Sequence, residues 1–376
     1  MSLTVTRIHA DTAAAVTVAS ETVSVADWSL RYFSSWWKAA PAADRGPDRI
    51  ADGGGLVLAD VDSARVDDIA GLVADYGHEE TTYANARTLV ARRDRVTYAV
   101  QPEQRLGYQA DGRRLVIVGD QAEPVAVAAA RLARELVRGQ LLEDGWSVLH
   151  ASAATRNRDA VLVLGGKGAG KTTSVLLLAR AGWEVLANDR VFVRPEPDGR
   201  VRVLPWPSAA AVGLGLLDAT GLYDQVREHV RAGEQLHPTQ HPKVTQALQD
   251  GRRTPIWRED GKELKAQFFP DQLATWLDLP LSKGGRAAGL LFPAVIPGAA
   301  PALAEDAPAL TEADVFDQKT EDRYPDIFGL TPATTGAQAL TEHMARLPRR
   351  SLAFGHDTYA NAVVLTRAVE EITGAR

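Results

Sequence analysis

The sequence predicts an α/β domain, residues 121–376, that follows a smaller α+β domain, residues 1–120. Residues 1–120 contain short β-branched runs with alternating apolar positions, such as Thr4–Ile8 and Arg113–Val118. Beyond them the predicted order is helix, strand, glycine-rich loop, helix and strand. That order is typical of a sheet covered by helices.

The composition is that of a globular protein with a core. The chain has 376 residues, of which 45% are hydrophobic and 24% charged. Its net charge of -6 lacks the basic excess of nucleic-acid-binding proteins, and no apolar run approaches the ~20 residues of a membrane span. Without cysteines the chain has no disulfides and no cysteine-bound zinc. A cytoplasmic protein with neither nucleic-acid nor membrane partners is therefore expected.

The first 120 residues are expected to form mainly strands. Besides Thr4–Ile8, strand character is found within Ala14–Val25. A meander is predicted over residues 95–118, where Asp111-Gly112 marks a hairpin turn. A group of aromatic side chains indicates a helical face packed in the core: Trp28, Tyr32, Phe33, Trp36 and Trp37.

The elements after residue 120 alternate between the two types. Pro124–Glu143 is predicted to be a helix, since Pro124 suits a first turn and an apolar stripe follows. Ala304–Asp326 is acidic and contains prolines, which predicts a surface loop or lid. The other predicted helices are Lys171–Ala181 and Ala362–Ile372, and the predicted strands are Ser147–Ala154, Ala160–Leu164, Glu184–Ala187, Val191–Arg194, Val201–Leu204 and Ala287–Ile296.

The glycine-rich loop matches the phosphate-binding pattern G-x-x-x-x-G-K-[ST] in full. Its residues are Gly165, Gly166, Lys167, Gly168, Ala169, Gly170, Lys171 and Thr172. Glycines let backbone N–H groups face phosphates, and the following helix adds its positive end. Lys171 can reach the β- and γ-phosphates, and the Thr172 hydroxyl can bind Mg²⁺. We therefore predict a P-loop that binds ATP and Mg²⁺ over residues 165–173, Thr173 included.

Asp189 is predicted to act at the same site. It follows the apolar run Val185–Ala187, which comes directly after the helix of the loop. A carboxylate at the end of a strand beside a P-loop can bind Mg²⁺ or accept a hydroxyl proton. The alternative is a turn carboxylate that pairs with Arg190.

The stretch around these residues resembles the HPr kinase/phosphorylase family. The resemblance consists of His150 before the loop, the loop itself and the tract Ala187-Asn188-Asp189-Arg190-Val191 after its helix. Weaker similarities are Val212–Asp218 and Lys283-Gly284-Gly285-Arg286. The resemblance covers roughly residues 125–300 and is most specific from His150 to Val191.

This resemblance implies a P-loop, HPr-kinase-like catalytic domain that moves the γ-phosphoryl group of ATP to a hydroxyl. It implies that Asp189 is the catalytic base and that Lys171 binds phosphate. His150 would be an active-site histidine, and Arg286 would contact phosphate. Thr172 and Asp189 would bind Mg²⁺. The implied acceptor is a serine of a peptide or protein, although a small-metabolite hydroxyl would leave the same pattern. The family forms homo-oligomers, so the resemblance allows one here.

The sequence departs from the family pattern at several positions. Asn188 replaces an aspartate, Ala210 a glutamate and Val212 an arginine. These differences fit a diverged relative, similar to the serine kinases of peptide natural-product clusters. Two other functions stay open. One is a P-loop ATPase or switch protein, which needs a positioned water. The other is a non-catalytic, nucleotide-dependent peptide-binding module, which Asn188 and Ala210 favour.

Overall fold

The computed structural model of the chain contains two compact units. Unit 1 comprises Met1–Gly145 and Asp317–Thr335, and unit 2 comprises Trp146–Phe316 and Gly336–Arg376. The structure describes residues 3–12, 14–44, 54–304, 306–311, 314–316, 325–332 and 337–374. Each unit contains a large mixed sheet with helices, which confirms the predicted α/β character. In the described part of the chain, no helix has the length and apolar character that crossing a membrane requires.

Unit 1 is built on one sheet with strand order β3-β1-β2-β4-β9-β8-β7-β6-β5. The predicted meander is confirmed as β7, β8 and β9, which pair antiparallel in sequence. The strands are β1 Thr4–His9, β2 Ala15–Ser20, β3 Lys38–Ala42, β4 Gly55–Val61, β5 Glu79–Tyr83, β6 Ala86–Arg93, β7 Val96–Gln101, β8 Leu106–Asp111 and β9 Arg114–Gly119, with a short 3-10 helix at Pro102–Gln104.

Three described helices cover this sheet: α1 Val23–Ser34, α2 Ser63–Asp75 and α3 Ala122–Glu143. Helix α3 packs against α1, β2, β4 and β9. A Cβ atom on Gly55 of β4 would lie 2.9 Å from Leu136 of α3, so glycine permits the close approach. The Gln140 side chain also exchanges hydrogen bonds with the backbone of Ala15. Helix α3 therefore belongs to unit 1, and the chain divides at Gly145 rather than at residue 120.

Unit 2 is built on a second sheet with strand order β10-β14-β15-β20-β12-β11-β13, and β22 pairs with β20 and β21. Small separate pairs are β16 with β19 and β17 with β18. The strands are β10 Ser147–Leu149, β11 Ser152–Arg156, β12 Asp159–Val163, β13 Glu184–Ala187, β14 Val191–Pro195, β15 Val201–Pro205, β16 Ala210–Val212, β17 Ile256–Trp257, β18 Glu263–Leu264, β19 Ala266–Phe268, β20 Gly285–Val295, β21 Ala302–Ala304 and β22 Arg349–Phe354.

The helices of unit 2 pack on this sheet, on the smaller strand pairs or on one another. Helix α4 follows the glycine-rich loop and packs against α10, β11 and β13. The predicted helices at α4 and α10 are confirmed, although α10 begins earlier than predicted. The helices are α4 Lys171–Arg180, α5 Leu214–Ala219, α6 Tyr223–Arg231, α7 Pro242–Asp250, α8 Pro270–Thr275, α9 Ala337–Met344 and α10 Thr358–Thr373.

The strand directions gather several carboxyl ends at one edge of the unit 2 sheet. Strands β12, β20 and β22 run parallel. Strand β11 is antiparallel to both β12 and β13, so β13 ends at the same edge. The glycine-rich loop leaves β12 there, and we call this edge the loop edge.

The chain passes between the two ends of the sheet twice. Strands β10 and β14 lie at one end of the strand order and β11 and β13 at the other. Leu149 pairs with Val191 at one end, and Ala153 pairs with Ala187 at the other. The passages between the ends are residues 150–151, which interrupt the strand predicted at Ser147–Ala154, and residues 188–190. Ser152 pairs with Val163 at the carboxyl end of β12, and Ala187 ends β13, so each passage has one end at the loop edge.

Candidate functional site

The glycine-rich loop turns sharply between β12 and α4. Gly165, Gly168 and Gly170 have φ angles of +132°, +84° and +105°, which residues with side chains rarely adopt. A Cβ atom on Gly170 would also lie 3.2 Å from the Phe354 ring at the end of β22. Residues 166–168 are exposed. The two fixed glycines of the motif, Gly165 and Gly170, thus have backbone conformations that favour glycine. The tip of the loop is exposed and can be reached by a ligand.

The Lys171 side chain folds back over this loop. Its Nζ donates to the Gly165 carbonyl at 2.6 Å and to the Gly166 carbonyl at 3.3 Å. Burial lowers the pKa of Lys171, while the nearby carboxylates of Asp189 and Asp314 oppose this shift. Lys171 therefore places a partly desolvated cation at the loop, within the electrostatic reach of Asp189.

His150 and Asp189 lie in the two passages of chain at the loop edge. The His150 Nε2 atom is 3.0 Å from the Asp189 Oδ1 atom. Both side chains are about half exposed, so a ligand can reach them. Alongside, the hydroxyl of Ser152, the first residue of β11, donates to the carbonyl of Asn188. This hydrogen bond connects the start of β11 to residues 188–190. The structure thus brings together two residues predicted to share a site.

The Asp189 carboxyl is kept ionised by its neighbours. Burial raises the pKa of Asp189, but the hydrogen bond with His150 and the charge of Arg190 outweigh it, so the pKa lies below its usual value. The Arg190 Nε atom is 3.6 Å from Asp189 Oδ2. The Arg190 guanidinium stacks near the rings of Phe316 and Trp206, at 4.0 and 5.4 Å from their centroids. Asp189 is therefore a fixed anion at the loop edge.

Arg286 lies elsewhere. In the sheet, its backbone lies opposite Asp159, at the amino end of β12, and opposite Arg202 of β15. The glycine-rich loop, by contrast, follows the carboxyl end of β12. Six residues of extended strand separate the two edges by about 20 Å. Within this chain the structure therefore does not bring Arg286 next to the glycine-rich loop, and its contact with phosphate stays a prediction. The short Lys-Gly-Gly-Arg similarity instead marks the start of β20, where Gly284 adopts a φ of +152°.

Two charged residues near Lys171 are not indicated by any sequence motif. Asp314 is one, and Lys265, whose positive charge adds to the lowering of the Lys171 pKa, is the other. Asp314 falls in the stretch predicted to be a loop or lid. Residues 305, 312–313 and 317–324 of that stretch lie outside the described residues.

The predicted metal ligands suit Mg²⁺ only together with phosphate. Thr172 lies in the first turn of α4, and Asp189 presents a half-exposed carboxylate at the same edge. Within the described ranges, no group of three or more His, Cys, Asp or Glu side chains forms a metal cage. Mg²⁺ is commonly held by one or two carboxylates, water and substrate phosphates, so the oxygen donors present fit that mode.

The site combines an open glycine-rich turn, a lysine folded over it and an ionised aspartate hydrogen-bonded to a histidine. Thr173, also predicted to bind nucleotide, lies in the first turn of α4 with Lys171 and Thr172. This arrangement can bind an anionic ligand at the turn and orient a proton acceptor beside it. No protein-family model matches the chain, and no curated protein matches it.

Proposed function

We propose that unit 2 is an ATP-dependent kinase of the P-loop type, similar to HPr kinase, that transfers the γ-phosphoryl group to a hydroxyl. The observation that carries the proposal is the position of the His150–Asp189 pair. It lies at the same sheet edge as a complete phosphate-loop motif, close enough for Asp189 to influence the pKa of Lys171.

The loop supplies the binding of the phosphates. The exposed residues 166–168 present backbone N–H groups, and the amino end of α4 adds a positive field. Lys171 exchanges its contacts with the loop carbonyls for the β- and γ-phosphates. Since burial disfavours its charge in the absence of a ligand, Lys171 gains a strong partner when the triphosphate binds.

Asp189 and Thr172 orient the reacting groups. Thr172 and Asp189, together with phosphate oxygens and water, would hold Mg²⁺, which would neutralise negative charge as the γ-phosphoryl group leaves ADP. Asp189 accepts the proton of the acceptor hydroxyl, and the hydrogen bond with His150 keeps its carboxylate in place. Positioning and electrostatics provide most of the rate in phosphoryl transfer, so few further groups are required.

The acceptor we propose is a serine of a peptide or protein, with a small-metabolite hydroxyl as the other class. An acceptor of either class can bring its hydroxyl next to the half-exposed Asp189 carboxylate. Because ATP is supplied inside the cell, the reaction is assigned to the cytoplasm.

The test is phosphoryl transfer measured by mass spectrometry, with ATP, Mg²⁺ and panels of serine peptides and hydroxyl metabolites. We expect an acceptor to gain the mass of one phosphoryl group. Asp189→Asn, which keeps the size but removes the base, is expected to lower the rate by about 10²–10⁴-fold while ATP still binds.

Asp198→Asn is the matched control. It makes the same substitution in the turn between β14 and β15, which the length of β14 separates from Asp189, and should leave the rate unchanged. ATP hydrolysis without any labelled acceptor would favour an ATPase or switch. Binding without turnover would favour the peptide-binding module. Transfer by Asp189→Asn at the full rate would remove Asp189 as the base.

A further inference from the structure

A short stretch distant in sequence from the glycine-rich loop lies beside His150. Leu149 and Val315 form an antiparallel β-bridge. On either side of it, the His150 N–H donates to the Asp314 carbonyl at 2.9 Å and the Phe316 N–H donates to the Val148 carbonyl at 2.7 Å. This alternation is that of an antiparallel ladder, so residues 314–316 extend the sheet next to β10.

The ladder places Asp314 opposite His150, with the Asp314 carbonyl bound to the His150 N–H. Asp314 ends a 3-10 turn, in which its own N–H donates to the Thr311 carbonyl. Its backbone therefore lies next to His150. The following residue, Val315, is buried in the hydrophobic core of unit 2.

Phe316, at the other end of this stretch, lies near Asp189. The ring of Phe316 packs against the guanidinium of Arg190, which in turn approaches the Asp189 carboxylate. Residues 314–316 thus contact both His150 and the surroundings of Asp189. The electrostatics agree, since the Asp314 charge acts on Lys171 in the same direction as that of Asp189.

We propose that Asp314 is a positioning residue of the phosphate site, a second carboxylate that with Asp189 holds hydrated Mg²⁺ against the bound nucleotide. The inference rests on the proposed function. A carboxylate that accepts hydrogen bonds from metal-bound water can fix the ion without binding it directly.

The carboxylate also accepts hydrogen bonds from the backbone N–H and the hydroxyl of Thr311, at 2.8 and 3.0 Å. A purely structural role in this turn is therefore the competing explanation. Asp314→Asn separates the two roles, because the asparagine oxygen can still accept from Thr311 while the negative charge is lost. Thr311→Val does the reverse, since it removes the hydroxyl donor and keeps the charge.

The experiment is a Mg²⁺ titration of the full-length chain with ribose-labelled fluorescent ATP. The midpoint of the Mg²⁺-dependent binding signal is measured without any acceptor. We expect Asp314→Asn to raise that midpoint by about tenfold. Asp314→Glu is expected to restore most of the loss. Asp306→Asn, an exposed residue of the same connecting segment, is the charge-matched control and should leave the midpoint unchanged.

The outcomes separate this inference from the proposed function. An unchanged midpoint in Asp314→Asn, or a shift of equal size in Thr311→Val, would overturn the role proposed for the Asp314 charge. The proposed function would then still stand. Failure of the unaltered chain to bind the labelled ATP would overturn the proposed function, and this inference with it.

Discussion

The hydrogen bond between His150 and Asp189 has a consequence for the pH dependence of the proposed reaction. Burial raises the pKa of Asp189, and the bond from His150 is the largest of the effects that lower it. A base that must be ionised loses activity as the pH falls through its pKa. Removing the bond therefore raises the pKa of Asp189 and moves the acidic limb of the rate profile to higher pH.

His150→Ala should show that shift in a plot of log kcat/KM against pH. His150→Gln is the matched variant, because its amide can still donate to the carboxylate and should keep the limb close to that of the unaltered chain. An acidic limb at the same pH in all three proteins would show that Asp189 is not the group that titrates.

Lys171 gives a second prediction, at alkaline pH. Burial lowers its pKa in the free protein, whereas bound phosphates favour the charged form. Nucleotide binding then involves proton uptake at high pH, so affinity should fall by up to tenfold per pH unit above the lowered pKa. Calorimetric titration with ATP across the alkaline range measures this. Lys171→Arg, which stays protonated, should bind with little pH dependence there. Identical slopes for both proteins would contradict the prediction.

At the scale of single elements, the glycine-rich loop depends on its contact with β22. Gly170 combines a φ of +105° with a Cβ direction aimed at Phe354. Gly170→Ala should therefore lower the free energy of unfolding by about 1–3 kcal/mol, measured by chemical denaturation, and weaken nucleotide binding. Gly166→Ala is the control for stability, because open space surrounds that position and its φ is not left-handed. Equal losses of unfolding free energy in both variants would mean that backbone strain is not the cause.

Elements with strong local signals could be predicted from the sequence. Helix α4 and strands β12 and β13 follow from apolar runs bounded by glycine, and the structure confirms them. The interruption at His150 could not be predicted, since residues 147–154 form one continuous strand-like run. It arises because the first half of this run pairs with β14 and the second half with β13, at opposite ends of the strand order. The same limit applies to Asp314, which reaches the site only through its long-range pairing with His150.

At the scale of the whole molecule, the proposed chemistry is assigned to unit 2, whereas helix α3 packs within unit 1. Leu136 of α3 is buried against Gly55 in unit 1. Leu136→Ala should destabilise unit 1 by about 2–5 kcal/mol, seen as an earlier transition in scanning calorimetry. The affinity for ATP, whose site is proposed to lie in unit 2, should stay unchanged. A parallel loss of affinity would mean that the nucleotide site depends on unit 1.

The division between the units was only partly accessible from sequence. Residues 122–143 are correctly predicted to be helical, but the apolar stripe of α3 does not reveal which sheet it covers. Its partners are set by packing with β2, β4 and β9. Likewise Phe328, distant in sequence, packs with Tyr83 and Tyr108 of unit 1, at ring distances of 5.7 and 5.6 Å.

The contact between His150 and Asp189 also bears on how unit 2 folds. In the folded chain, the passages that carry these two residues are held by the pairing of β10 with β14 and of β11 with β13. Pairings between distant segments cost loop-closure entropy and form slowly, so the hydrogen bond between these side chains should be among the last contacts to appear. Recovery of nucleotide binding during refolding would then lag behind the return of secondary structure.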